Sequence, residues 1–120
     1  MRITVTLPMP PNLANARMHW RKKTQAHAAW KQRAIVGEPQ LRGRRPRRPY
    51  ERVVVTAVLY PRQLMDDDNA VARLKWCLDL LKDRGLIVDD KRPHLVLGGI
   101  PEQRVGGKPT RIELTIESAA

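Results

Sequence analysis

Arg52-Val-Val-Val-Thr-Ala-Val-Leu-Tyr60, closed by Pro61, runs through a short link into Asp66-Asp67-Asp68-Asn69 and then into a helical pattern. The β-branched run is long enough for a central strand, because branched side chains pack well on a pleated surface. Beyond it Val71, Leu74, Leu78 and Leu81 recur at the spacing of one helix face, with Cys77 on the same stripe. Asp67 or Asp68 suits the N-cap of that helix, Lys82 and Arg84 suit its last turn, and Gly85 suits a left-handed C-cap. A strand feeding a one-sided helix needs a sheet for the helix to cover.

Toward the N-terminus, Arg2 to Leu7 alternates and puts Ile3, Val5 and Leu7 on one face of another strand. Pro8, Pro10 and Pro11 stop it, since proline cannot donate to a sheet ladder. Met18 to Val36 reads as a helix ended by Gly37 and Pro39. Residues 38–49, rich in arginine and proline, offer little to bury and read as a mobile basic loop. Toward the C-terminus, Leu86-Ile87-Val88 leads into Asp89-Asp90. A strand around His94 to Leu97, a turn centred on Gly106-Gly107 and a strand from Arg111 to Glu117 read as a closing hairpin. The expected fold is α+β: a single domain, residues 1–120, built as a two-layer sandwich. Two main helices cover one face of a small mixed sheet in the order β-α-β-α-β-β.

The 120 residues carry 23 Lys and Arg against 12 Asp and Glu, a net charge of +11. The excess is regional. Residues 17–48 hold eleven basic residues and a single acid, Glu38, whereas from residue 49 onward the signs balance at eleven each. A polyanion is therefore the expected partner, met by Arg17, Arg21, Lys22, Lys23, Arg42, Arg44, Arg45, Arg47 and Arg48. One cysteine, Cys77, forms no internal disulfide and no cysteine-based zinc site. The longest stretch without charge, residues 3–16, is broken by three prolines, so no membrane span is expected and the protein reads as intracellular and cytoplasmic. No Gly-rich phosphate loop with Lys-Ser/Thr is present, and no nucleotide cofactor is expected.

Three adjacent carboxylates repel one another unless a cation neutralises them. In an extended segment Asp66 and Asp68 point the same way, an arrangement suited to Mg²⁺, which takes a few carboxylate oxygens plus water and substrate phosphate. The plain alternative is that these aspartates cap the helix. An alternating EF-hand ligand loop is absent. Asp89-Asp90 would be a solvated turn if taken alone, but a returning chain can bring Asp90 toward the first cluster. Lys75 lies seven residues beyond Asp68, two turns on, where an ammonium could stabilise charge developing on a phosphate. His19, His27 and His94 share no ligand spacing, and Trp20, Trp30 and Trp76 read as core or interface residues before base-stacking ones.

Taken in order, several segments resemble the RusA family of Holliday junction resolvases. They are Leu7-Pro8-Met9-Pro10-Pro11, the segment containing His19-Trp20-Arg21, and Asp66-x-Asp68-Asn69 with Lys75 and Asp79 beyond it. Gly85-Leu86-Ile87-Val88-Asp89-Asp90 and Gly106-Gly107 before Arg111-Ile112-Glu113-Leu114-Thr115-Ile116 complete the set. The resemblance implies a homodimeric, Mg²⁺-dependent endodeoxyribonuclease (Mn²⁺ substituting) that nicks two strands of a four-way DNA junction in recombination and repair. It implies Asp66, Asp68 and Asp90 as metal-binding carboxylates, with Asn69 completing the acidic motif and Asp89 beside it. Lys75 matches the catalytic lysine only if three extra residues open the helix, which leaves Arg73 as its substitute.

Two rivals remain on the residues alone. One is a non-catalytic basic DNA-binding module whose aspartates only cap a helix and form turns. The other is an RNA-binding or ribosome-associated protein, which the regional charge also permits.

Overall fold

The computed structural model describes residues 2–11, 20–42 and 48–119. Among these residues the elements run β1 (Arg2–Pro8), α1 (Trp20–Gly37), α2 (Pro39–Arg42), β2 (Val53–Tyr60), α3 (Asp67–Ala72), α4 (Leu74–Asp83), β3 (Leu95–Leu97), β4 (Glu102–Gln103) and β5 (Arg111–Ser118). The result is an α+β fold with helices packed on a mixed five-stranded sheet.

The period of two is clean in β5, where Ile112, Leu114 and Ile116 are fully buried while Arg111, Glu113 and Thr115 alternate with them on the other face. Val5 and Leu7 of β1 and Val53, Val55 and Leu59 of β2 join the same apolar face. Trp30 and Ala34 of α1, Leu41 of α2, Ala70 of α3 and Leu74, Cys77, Leu78, Leu80 and Leu81 of α4 cover it as one core. Each buried leucine removes enough apolar surface from water to contribute about 2 kcal/mol.

The sheet order is β1-β5-β2-β3, with β4 beside the far end of β2. β5 runs antiparallel to both neighbours, pairing Leu7 with Ile112 and Leu59 with Ile112 across its two edges. This corrects the closing hairpin expected from the Gly106-Gly107 turn. β3 and β5 do not pair; β3 and β4 instead lie parallel to β2 on its other side. Period-two patterning reports which face is buried but not which strand lies alongside.

Two further corrections concern boundaries. Residues 38–42 are packed, not loose: Pro39–Arg42 form a short helix and Leu41 is 1% exposed. The helix expected from Asp67 or Asp68 to Arg84 is two helices meeting at Arg73, and its N-cap is Asp66. Arg73 keeps helical dihedrals (−65°, −19°), while its Nη1 donates to the Pro10 carbonyl at 2.6 Å. Ala70, not Val71, takes the buried position in the first of the two. Gly85 is left-handed (φ 75°), as its place after the helix requires.

Glu38 explains why residues 38–42 are ordered against the sheet. Its side chain is buried, Oε2 accepting the Thr6 backbone N–H at 2.6 Å and Oε1 accepting that of Gln40 at 3.0 Å. One carboxylate thus caps α2 and satisfies a donor on the outer edge of β1, where an open strand would otherwise invite pairing. Glu38→Ala strands both donors and is expected to cost about 2 kcal/mol, read as a lower urea midpoint, with Glu38→Gln costing less. An unchanged midpoint in the alanine variant would show that water replaces the carboxylate freely.

Candidate active site

β2 ends at Tyr60, and the chain turns through residues 61–65 before α3 begins. Gln103 of β4 fixes that turn: its Oε1 accepts the Met65 N–H and its Nε2 donates to the Met65 carbonyl, both at 2.8 Å. The next residue is Asp66. Its backbone is extended (−63°, 156°) and its carbonyl accepts the Ala70 N–H at 2.9 Å, yet its carboxylate makes no capping bond. Asp67 and Asp68 occupy the first turn, all three aspartates are exposed, and Asp68 Oδ1 accepts the Asn69 N–H at 3.0 Å. Asn69 is half-buried. None of the three carboxylates makes an ion pair among the described residues.

The second acidic pair is placed elsewhere. Asp79 of α4 faces Asp90 within hydrogen-bonding reach, and its pKa is pushed up to about 6. Burial contributes most, the hydrogen bond and the repulsion from Asp90 add to it, and Lys75 opposes it. At helical spacing Asp68, Lys75 and Asp79 share one stripe, which crosses the break between α3 and α4 at Arg73. Asp66 and Asp68 thus belong to the head of α3, whereas Asp79, with Asp90 beside it, belongs to α4, where exposed Lys75 precedes it by one turn. No group of three or more His, Cys, Asp or Glu side chains arranged to hold a metal occurs among the described residues. Asp66 and Asp68 alone still fit Mg²⁺, which characteristically binds one or two carboxylates and completes its shell with water and substrate phosphate. Asp89 serves the turn: its Oδ1 accepts the Asp90 N–H at 2.8 Å and lies 3.5 Å from Lys82 Nζ, and both interactions hold its pKa low.

The basic helix α1 docks on α4 through aromatic rings. His27 stacks on Trp76 with centroids 4.3 Å apart and planes 8° from parallel, and Trp30 closes the cluster at 5.8 Å from Trp76. Trp30 Nε1 donates to the Pro8 carbonyl at 2.8 Å, and Lys31 pairs with Asp83 at 2.6 Å. Burial lowers the His27 pKa, Lys31 lowers it further and Asp83 opposes them, which favours the uncharged imidazole in the stack. α1 is otherwise loosely held, with only Trp30 and Ala34 buried and no acidic residue along it. Arg21 and Lys22 are exposed and Lys23 half-buried on this helix, and Arg48 is exposed beyond it. Arg17, Arg44, Arg45 and Arg47 lie outside the described residues, and Arg42 is known only as the last residue of α2. Cys77 is a core residue whose thiol burial pushes far above its usual range.

Beside the aspartates lies an open cleft of about 740 Å³, between the proline segment after β1 and the turn after β2. Arg73 lines it and is partly desolvated, which lowers its pKa, and its buried Nε has no partner among the described residues. Sequence reading missed three contributors: Gln103 as the brace of Met65, Asp79 as the partner of Asp90, and this cleft. Only Asp79 left a local trace, lying four residues beyond Lys75 on the Asp68 stripe. No protein-family model matches the chain, and no curated protein matches it.

A carboxylate with a raised native pKa binds its proton more tightly when folded, so its contribution to stability is present below the unfolded value and lost as pH rises through about 6. Asp79→Asn removes that loss. In EDTA, the variant is expected to gain on the wild type between about pH 4 and pH 6.5 in urea denaturation, and equal displacement at both pH values would refute the pairing with Asp90.

Proposed function

We propose that the protein is a Mg²⁺-dependent, structure-selective endodeoxyribonuclease of the RusA type that resolves four-way junctions by paired nicks, acting as a homodimer in DNA recombination and repair. The observation that supports this most is the set of exposed carboxylates at the head of α3, which make no ion pair among the described residues and where Asp66 sits at the N-cap without capping. Three adjacent like charges with no ion-pair partner among the described residues repel one another, and a divalent cation relieves that repulsion.

Asp66 and Asp68 hold the metal in this reading, with the Asn69 amide beside them. Bound Mg²⁺ supplies an activated water and neutralises charge at the phosphodiester. Lys75, exposed on the same helical stripe, sets a positive charge toward the phosphate oxygens. Arg73 is the weaker choice for that task, because its guanidinium, held at the Pro10 carbonyl, lines the adjoining cleft. Asp90, the third ligand that the resemblance implies, is paired with Asp79 and has the lesser role in holding the metal. The basic helix α1 holds DNA through its phosphates, separately from the carboxylates that cut.

One observation favours the rival reading as a non-catalytic DNA-binding module: Asp89 does behave as a turn residue, engaged with the Asp90 N–H and Lys82. The readings part on metal. With purified protein, Mg²⁺ is expected to raise the melting midpoint and to support nicking of a synthetic four-way junction, and Asp68→Asn to cut nicking by about 100-fold or more while junction binding survives. Binding without nicking in either Mg²⁺ or Mn²⁺, and a midpoint indifferent to Mg²⁺, would establish the module instead. The paired change Lys22→Ala and Lys23→Ala is expected to reduce the slope of log affinity against log salt by about 2. An unchanged slope would remove α1 from the DNA interface.

A further inference from the structure

The cleft beside Asp66 has a composition that the carboxylates do not share. Its charged lining is Arg62 and Arg73, with no acidic residue. Neither arginine has a carboxylate partner among the described residues. Arg73 is the more telling of the two. It is tethered to the Pro10 carbonyl by Nη1 and partly stripped of water. A tethered cation of this kind favours an oxyanion that arrives with the ligand, and guanidinium matches phosphate geometry best.

The remaining lining is of two kinds. Met9, Leu64 and Met65 line the cleft together with Pro10, Pro11 and Pro61, a polarisable apolar lining suited to a planar ring. Gln63 and Thr110 add hydrogen-bonding groups, an amide able to donate and accept and a hydroxyl able to do both. The walls are braced on both sides, by Gln103 on Met65 and by Arg73 on Pro10. The chain passes from the wall at Met65 directly to Asp66.

We infer that this cleft is a nucleotide subsite: it takes the nucleotide adjoining the cleaved phosphate, with its phosphate on Arg73 and Arg62, its base against the proline–methionine wall, and its base edge read by Gln63 and Thr110. The placement beside the cleaved phosphate rests on the proposed nicking activity; the affinity for a nucleotide does not. Discrimination between bases comes from the polar pair, because an amide or hydroxyl facing the wrong edge is left unpartnered. Junctions would thus be chosen by shape and charge, and the nick position within them by the cleft.

Two measurements separate the two ideas. First, protein carrying ¹³C-methyl methionine is titrated with each 2′-deoxynucleoside 5′-monophosphate, with the unphosphorylated nucleosides and with inorganic phosphate. The Met9 and Met65 methyl signals are expected to shift saturably with the nucleotides, and at least about tenfold more weakly with phosphate or nucleoside alone, since each supplies half of the recognition. Arg62→Ala is expected to weaken the nucleotide response. Equal responses to phosphate and nucleotide, or none, would overturn the inference. Second, nick positions are mapped on junctions with a randomised mobile core. Gln63→Ala and Thr110→Val are expected to flatten the preference for particular bases by about tenfold and to weaken the methyl response to the nucleotides. If the wild type nicks and these variants leave both its base preference and the methyl shifts intact, the subsite is refuted while the endonuclease reading stands. If nucleotides move the methyls but no junction is ever nicked, the subsite stands and the endonuclease reading falls.

Discussion

A buried strand must find a hydrogen-bond partner for each of its peptide groups, and β2 meets that demand unevenly. One edge is served continuously by β5, from Val53 against Ser118 to Tyr60 against Arg111. The other is served in pieces: Tyr50, just before the strand, bridges to Ile87, Val53 to Val55 pair with Leu95 to Leu97, and Val58 and Leu59 pair with Glu102 and Gln103. The path of the chain after α4 follows from this requirement. It returns to the start of β2 at Ile87, climbs alongside it, and arrives at the far end with Gln103 positioned to clasp Met65. The aspartates are where they are because that clasp fixes the residue before them.

Much of this was legible locally. The alternation of β1 and β5, the valine run of β2 and the left-handed Gly85 are properties of neighbouring residues, and the structure has them where the patterns place them. What the pattern does not contain is partnership at long range. Glu38 looks like a stray acid in an arginine-rich run until it is seen bonding Thr6, 32 residues earlier. Arg73 looks like an ordinary helix cation until it reaches Pro10, 63 residues away. The assignment of β5 to the middle of the sheet is of the same kind.

The site divides in a similar way. The carboxylates at the head of α3 were visible because three aspartates in a row are chemically conspicuous. Asp79 showed only as part of a spaced pattern; its meeting with Asp90 across the turn at Gly85 was not visible. The opposed charge character of the chain, basic before residue 49 and balanced after it, becomes a physical junction where His27 lies flat on Trp76 and Lys31 meets Asp83. The helix carrying the positive charge leans through these rings on α4, the helix that follows the one headed by Asp67 and Asp68.

The central position of β5 also constrains the order of events during synthesis. β1 and β2 lie on either side of it and have no contact ladder with each other, so both wait for the final strand. Until residues 111–118 leave the ribosome, the valine-rich β2 has one whole edge open, in a chain that cannot yet close its sheet. Nascent protein is therefore exposed to edge-to-edge association from the emergence of β2 to that of β5, and the arginines that precede β2 give that intermediate a charge that keeps copies apart.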